Sequence, residues 1–439
     1  MSLLPSASKV LEIIVNQQVL RFFEQNHLLP RSQHGFRPSR STFSAVAAMH
    51  ETWLNNKIKK GHSQAVTFFD LSAAFDTLSC DIFCSKIELY GFCKKSVSWF
   101  RSYLSNRQQV VMVEDVLSEP LKINVGSPQG AVLSPTIFII LISDIGLYSD
   151  STIFGYADDT TATVSGTDIP ILVTKCEEEA RKIIDYMSIN RLKANDDKTH
   201  VMVIRKVRSE DKLTFNIGKE VIKESESEKL LGIHVENDLK WDIHLAKLLS
   251  KLRHRLFRLR RIKEKIPRHL LKRVADGIFM SQVRYGLPLY CPVKIKEDDP
   301  SPGCIDKINV AFNDCLRLLT GNQRTDHASI QSMLNELDWL SLNQLSAETR
   351  LVQAWKTAHV DDYCLQDTLK LRKKGSYPTR GNEVDNFDPG VDCRNISSGT
   401  FVNQTARIWN QAPMTIKTAT SLEIAKREIR AYVRTLPIS

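Results

Sequence analysis

Three aspartates carry the most pointed chemistry in this chain. Asp158 and Asp159 lie in Phe154-Gly155-Tyr156-Ala157-Asp158-Asp159-Thr160, where turn chemistry between apolar stretches predicts a tight β-hairpin with both carboxylates at its tip. Asp70 ends the apolar run Ala65-Val66-Thr67-Phe68-Phe69, which reads as a buried strand. A carboxylate at a strand end beside a pair on a hairpin can hold two Mg²⁺ ions about 4 Å apart, the arrangement that drives in-line nucleotidyl transfer. Two adjacent aspartates in a turn are, alone, ordinarily just a turn. The weight therefore rests on what surrounds them.

The surrounding segments come in a set order. Asp70 sits in Phe69-Asp70-Leu71-Ser72-Ala73-Ala74-Phe75-Asp76, and Gly126-Ser127-Pro128-Gln129-Gly130-Ala131-Val132-Leu133-Ser134-Pro135 follows. After the hairpin come Leu192-Lys193-Ala194-Asn195-Asp196-Asp197-Lys198-Thr199 and then Lys229-Leu230-Leu231-Gly232-Ile233. In order and approximate spacing this series resembles the palm motifs of reverse transcriptases, of the non-LTR (LINE-type) retrotransposon form. The resemblance covers about residues 2–345 well and the tail more loosely.

The resemblance implies an α+β, right-hand polymerase fold. Partial fingers are expected at 1–64, a palm at 65–237, an all-helical thumb at 238–345 and a small C-terminal region at 346–439. The implied activity is RNA-directed DNA polymerisation with two Mg²⁺ ions, on an RNA template with a DNA primer and deoxynucleoside triphosphates. Asp70, Asp158 and Asp159 are the implied metal ligands, with the Leu71 carbonyl as an extra one. Asp76 competes with Asp70 on paper, but reads as a helix-start cap.

Phe75, five residues beyond Asp70, is implied to pack under the sugar of the incoming nucleotide and exclude a ribose 2′-hydroxyl. Gln129 is expected to hydrogen-bond near the nucleotide sugar and phosphate, Gly130 to let the backbone come close, and Pro135 to start a supporting helix. Lys198 is a general-acid candidate for the leaving pyrophosphate. Leu231 and Gly232 match a primer-grip hairpin, with Gly232 at the turn. The stretch from His34 to Thr42 resembles a fingers motif, in which Arg37 and Arg40 would meet nucleotide or template phosphates. Each has a plainer reading in isolation: a core phenylalanine, a surface lysine, ordinary loop arginines.

Size and composition agree with this. A chain of 439 residues can build two or three domains, and its 42% apolar and 25% charged residues are ordinary for a soluble protein. The net charge of +10 points to a polyanionic partner such as nucleic acid. Nine scattered cysteines without a CxxC pair read as reduced thiols inside a cell, with a zinc site open only to long-range convergence. There is no signal-peptide pattern, and the longest apolar run, Ile137–Ile142, is too short to cross a bilayer. A soluble, intracellular chain without a membrane partner is expected; the sequence leaves its oligomeric state open.

The positioning elements follow from periodicity. Ala7–Phe23 places Val10, Leu11, Ile14, Val15, Val19, Leu20 and Phe23 at helical spacing. Helices are expected at Thr42–Ile58, Asp81–Tyr90, Val97–Leu104, from Pro135 and at Cys176–Ile189, with strands at Gln108–Val113, Leu121–Val125, His200–Ile204 and Leu230–Val235. From Asp242 the texture changes. Leu245, Leu248, Leu249, Leu252, Leu256, Leu259 and Ile262 form an apolar helical stripe opposite Lys247, Lys251, Arg253, Arg255, Arg258, Arg260, Arg261, Lys263 and Lys265. Solvated faces usually alternate in sign, and this one barely does, so a phosphate-backbone surface fits better, with Arg253, Arg255, Arg258 and Arg261 in contact. Asp298–Pro302 reads as a break, Cys304–Ala358 as helical, Lys374–Ser398 as loop and Ser421–Val433 as a final amphipathic helix. Arg407-Ile408-Trp409-Asn410-Gln411-Ala412-Pro413 resembles a recurrent C-terminal pattern of LINE-type polymerases, with a packed cap around Trp409 as its plainer reading.

The sequence also departs from the family. Relatives carry more fingers sequence ahead of Ser2, including basic residues that neutralise the triphosphate, and many carry an upstream endonuclease. The reading is of an N-terminally truncated enzyme. The alternative is a catalytically impaired, nucleic-acid-binding remnant of the same fold.

Overall fold

The structure is a computed structural model. It describes residues 4–60, 62–72, 74–123, 125–205, 211–296, 299, 303–371, 386–388 and 400–438. The chain forms two compact units: 1–45 with 61–226, and 46–60 with 227–439. The expected loop Lys374–Ser398 lies outside the described residues except for 386–388, and of the break Asp298–Pro302 only Asp299 is described.

The first unit is α+β. Its centre is a four-stranded antiparallel sheet in the order His200–Ile204, Ser63–Phe69, Asp159–Gly166, Thr152–Tyr156. The central strand Ser63–Phe69 pairs on both edges, and its register ends at Phe69↔Thr160. That is why its residues are almost all buried, and why the chain emerges at Asp70 beside the hairpin that carries Asp159. Helix Ile169–Ile189 lies across the sheet, capped by Asp168, whose carboxylate accepts from the Ile171 amide at 3.0 Å. It buries Leu172, Cys176, Ala180, Ile183, Tyr186 and Met187.

Helix Ser134–Leu141 is mostly apolar and buried at every position but the half-buried Pro135 in its first turn. A mostly apolar helix belongs inside a core, and each of its large side chains contributes about 1.5–3 kcal/mol by burial. Helix Ser6–Gln25 corrects the expected stripe. It buries Val19 and Phe23, while Val10, Leu11 and Ile14 stay exposed, because only its C-terminal half lies over the core. The expected strands Gln108–Val113 and Leu121–Val125 become two short ladders, Arg107–Gln109 with Leu121–Ile123 and Met112–Val113 with Val116–Leu117.

The second unit is helical apart from one hairpin, Ser227–Leu230 with Ile233–Glu236. The expected single strand Leu230–Val235 is thus broken. Leu231 (φ 48°) and Gly232 (φ 85°) are both left-handed, the two-residue turn whose twist suits a hairpin. Helix Asp242–Ile262 buries Leu245, Leu248, Leu252, Leu256 and Leu259 and packs on helix Gly303–Thr320. Helix Leu342–His359 places Arg350 in the interior with no exposure. Its guanidinium donates to the carbonyls of Pro288, Cys291 and Phe401 and stacks 5.4 Å from the Phe401 ring. Within this unit Glu51 accepts from the Val402 amide at 3.0 Å.

Trp409 is buried against Phe387, 5.6 Å between ring centroids, and the Asn410 side chain holds the Phe387 amide and carbonyl, each at 3.0 Å. The Arg407–Pro413 pattern is therefore a packed cap, with Arg407 paired to Asp299 at 2.6 Å. Among the described residues no helix is long and apolar enough to cross a membrane.

Candidate active site

The site is assembled from three segments of the first unit. The hairpin Thr152–Tyr156/Asp159–Gly166 turns through Ala157 and Asp158, with Tyr156 opposite Asp159. Ala157 is held at φ 58°, a conformation costing an L-residue about 1–2 kcal/mol. Neighbouring chain holds the turn in place: the His34 amide donates to the Gly155 carbonyl at 2.8 Å and the Gly155 amide to the Ser32 carbonyl at 3.0 Å. Gly35 packs so tightly here that a Cβ on it would lie 2.2 Å from the Ala157 nitrogen. His34 is buried with its Nδ1 3.0 Å from the Ser44 hydroxyl; burial, then the charges of Arg40 and Arg37, hold its imidazole down at about 3. The fingers-like motif thus acts first as a bracket for the aspartate turn.

Asp70 leads into a second contact. Leu71 pairs with Ala194, and the Asn195 amide donates to the Asp70 carbonyl at 2.9 Å. This short ladder delivers Lys198, whose ammonium donates to the Asp70 carboxylate at 3.1 Å and is otherwise largely in solvent. Asp159 reaches solvent on one side, yet surrounding protein desolvates its carboxyl. That desolvation, then the negative charges of Asp158 and Asp70, pushes it up to about 6. The three carboxylates therefore feel one another. Among the described residues, no three carboxylate, imidazole or thiol groups stand close enough to form a ready-made metal cluster.

A cleft of about 390 Å³ opens beside them, lined by Leu71, Ala74, Phe75, Asp76, Pro128, Gln129, Gly130, Ala131, Ser134, Pro135 and Asp158. It unites residues predicted from three separate motifs: Leu71 and Phe75, Gln129 and Gly130, and Asp158. Phe75 is half-buried, its ring 5.1 Å from Phe138 and 6.5 Å from Phe36. Gly130 takes φ 82°, a left-handed conformation that glycine adopts freely. Gly126 (φ 85°) lies against Asp76, where a Cβ would come 2.6 Å from its carbonyl oxygen.

Two expectations are corrected here. Arg37 is not free for a phosphate: its guanidinium is buried and held by both Glu24 carboxylate oxygens (2.7 and 2.6 Å) and by the carbonyls of Pro30 and Gln33. An arginine taken from water needs this full set of partners, and Glu24 supplies them from the preceding helix. Arg40 is half-exposed and donates to the Arg31 carbonyl. Asp76 caps no helix: the next one starts at Cys80 with Ser79 at its N-cap. Asp76 is instead exposed at the cleft and accepts from Gln129 Nε2 at 3.0 and 3.3 Å. Sequence reasoning missed that role; the only signal was a second carboxylate next to Phe75.

The remaining expected residues belong to the second unit. The Leu231 carbonyl accepts from the Tyr285 hydroxyl, and the Tyr285 ring lies 3.4 Å from where a Gly232 Cβ would be. Along Asp242–Ile262, Lys247, Lys251, Arg253, Arg258, Arg260 and Arg261 are exposed and Arg255 half-exposed. Among the described residues, none of these arginines has a carboxylate partner within ion-pair distance, so the face is cationic and unneutralised.

The family model described as reverse transcriptase (RNA-dependent DNA polymerase) matches residues 1–235. A probable RNA-directed DNA polymerase from transposon BS of Drosophila melanogaster is 27% identical over 271 residues, 59% of this chain and 29% of the relative. The RNA-directed DNA polymerase from mobile element jockey of the same fly is 23% identical over 309 residues, 66% of this chain and 32% of the relative. The chain thus spans under a third of the length of these relatives. A solved telomerase from Candida tropicalis in complex with a telomeric RNA fragment aligns at 13% identity and TM-score 0.40, over 99% of this chain and 57% of that one. With the match covering more than half of its length, the chain belongs to the reverse transcriptase (RNA-dependent DNA polymerase) family, alongside the polymerases of LINE-type elements.

Proposed function

We propose that the chain is the RNA-directed DNA polymerase module of a LINE-type retrotransposon, extending a primer 3′-hydroxyl on an RNA template. One observation carries this reading: Leu71, Phe75, Gln129, Gly130 and Asp158, predicted from three separate motifs, line one cleft, with Lys198 on Asp70 beside it. On the same reading residues 1–64 are partial fingers, 65–237 palm, 238–345 thumb and 346–439 a C-terminal region.

Reverse transcriptases generally use divalent metals. The donor chemistry here suits Mg²⁺: Asp70, Asp158 and Asp159 would offer hard carboxylate oxygens and Leu71 a carbonyl. When bound, such ions acidify the primer hydroxyl and offset charge on the leaving pyrophosphate. Phe75 would sit under the deoxyribose and leave no room for a 2′-hydroxyl. Gln129 and Gly130, which line the same cleft, would orient the nucleotide. Lys198, solvent-facing and held by Asp70, would hand a proton to the departing pyrophosphate oxygen. The cationic face of Asp242–Ile262 would carry the phosphate backbone of template and primer.

The test is primer extension on an RNA template with Mg²⁺ and deoxynucleotides, with Asp158→Ala as control. Extension that disappears in the variant supports the reading. Template–primer binding without extension by the unaltered chain overturns it in favour of a non-catalytic nucleic-acid-binding protein.

A further inference from the structure

We infer that Phe36 is a positioning residue for Phe75: its ring closes the solvent side of the Phe75 ring and so sets how strictly the cleft tells a deoxyribonucleotide from a ribonucleotide. This rests on the polymerase reading above, with Phe75 under the sugar, and adds a second residue to it.

The starting observation is a side chain held at a cost. Phe36 has φ 56°, in the left-handed region that glycine enters freely and a bulky residue rarely does. Among the described residues no other phenylalanine, tyrosine or tryptophan takes that conformation. The Phe36 side chain is also 46% exposed, so burial does little to offset the strain. Conformations of this kind persist where the surroundings over-determine them, and they concentrate at functional sites.

The surroundings do over-determine it. Gly35 is wedged against the Ala157 backbone, and its amide donates to Gln33 Oε1 at 3.2 Å. On the other side the Arg37 guanidinium is clamped by the Glu24 carboxylate and by the Pro30 and Gln33 carbonyls. With the chain fixed at both neighbours, the Phe36 ring can be presented in one place. That place is beside Phe75: the ring centroids are 6.5 Å apart and the planes 79° apart, an edge-to-face pair.

Phe75 is thereby bracketed. Buried Phe138 lies 5.1 Å from it on the core side, and exposed Phe36 meets it on the solvent side. A ring that excludes a 2′-hydroxyl by bulk works only if it cannot yield. A half-buried phenylalanine packed from the core alone can turn to another staggered rotamer towards water, which would make room for the hydroxyl. Phe36 obstructs that escape. It touches the excluding ring and not the reacting atoms, so its loss should move selectivity more than rate.

The experiment is single-nucleotide extension by the full chain on an RNA template, with kcat/KM measured for a 2′-deoxynucleoside triphosphate and for its ribonucleotide counterpart. Phe36→Ala should lower the deoxy-to-ribo ratio about three- to tenfold, the worth of one edge-to-face ring pair, chiefly through a faster ribonucleotide reaction. Phe36→Tyr keeps the ring and should hold the ratio. Phe36→Gly removes the ring while relieving the backbone, so it should match Phe36→Ala in ratio and melt no lower than that variant. In a Phe75→Ala background, Phe36→Ala should change the ratio no further, since it acts through Phe75. A ratio unchanged in Phe36→Ala and Phe36→Gly, where Phe75→Ala does lower it, overturns this inference alone. Equal loss on both substrates also overturns it, as the mark of a ring that stacks on a base. A ratio unmoved by Phe75→Ala overturns the excluding role of Phe75 and this inference with it. Absence of extension by the unaltered chain overturns the polymerase reading, a result distinct from all of these.

Discussion

Substituting Gly35 by alanine tests whether the loop beside the aspartate turn sets the geometry of the site. An alanine Cβ would lie 2.2 Å from the Ala157 nitrogen, 3.0 Å from the Tyr156 carbonyl carbon and 3.1 Å from the Ala157 Cα. All three atoms are backbone, so no rotamer change relieves the clash. Ordinary contacts form at about 3.5 Å, and the hairpin or the loop must therefore shift by roughly 1 Å. Overpacking of that kind costs about 1–3 kcal/mol, equivalent to about 2–4 °C of melting temperature per kcal/mol in a unit of this size. The functional effect should be larger. Asp158 follows Ala157 directly, and misplacing a reacting group by about 1 Å costs on the order of 10²-fold in rate. The assay is primer extension at saturating template–primer, paired with thermal melting. Gly146→Ala is the control, because nothing lies within 4 Å of its added Cβ. A Gly35→Ala protein with unaltered rate and melting temperature would refute the reasoning.

Phe75→Ala should raise ribonucleotide incorporation relative to deoxynucleotide incorporation by about tenfold or more, since a half-buried ring at the cleft is removed; competition between the two substrates on one template checks this. Replacing Arg253 and Arg258 by alanine should weaken template–primer binding for all sequences alike and flatten the dependence of log Kd on log salt by about 1 per lost phosphate contact, measured by titration at several salt concentrations. Stability should rise between pH 5 and pH 7.5. Burial holds His50 and His244 down to about 4, below their ordinary 6.5, so the unfolded chain binds the extra protons as pH falls and each histidine removes about 2 kcal/mol by pH 5. Glu51 works the other way, since burial raises it to about 7 and its contribution is lost as pH rises from 4.5 through 7, about 2 kcal/mol. The balance of these three groups, all in the second unit, is a net gain of about 2 kcal/mol with rising pH. Denaturant titrations at pH 5, 6 and 7.5 measure it, and a flat or falling profile would show that these histidines are not buried neutral.

Much of the site was readable without coordinates because its parts are local. The apolar run before Asp70, the tight hairpin turn beside Asp158 and the stripe of Asp242–Ile262 are each set by neighbours within a few residues. Their order along the chain then named the chemistry. What sequence alone left open were matters of partnership. Arg37 had the charge and loop setting of a phosphate ligand, but Glu24 from the preceding helix captures it. Asp76 looked like a helix cap, but Ser79 holds that position and Asp76 meets Gln129, 53 residues on. Nothing in the local sequence requires a glycine at position 35; Ala157, packed against it, does. Trp409 and Asn410 acquire a purpose only through Phe387. A backbone turn or an amphipathic period is encoded where it occurs. The group that neutralises a charge, or the atom that forbids a side chain, is decided only when distant segments return to one place.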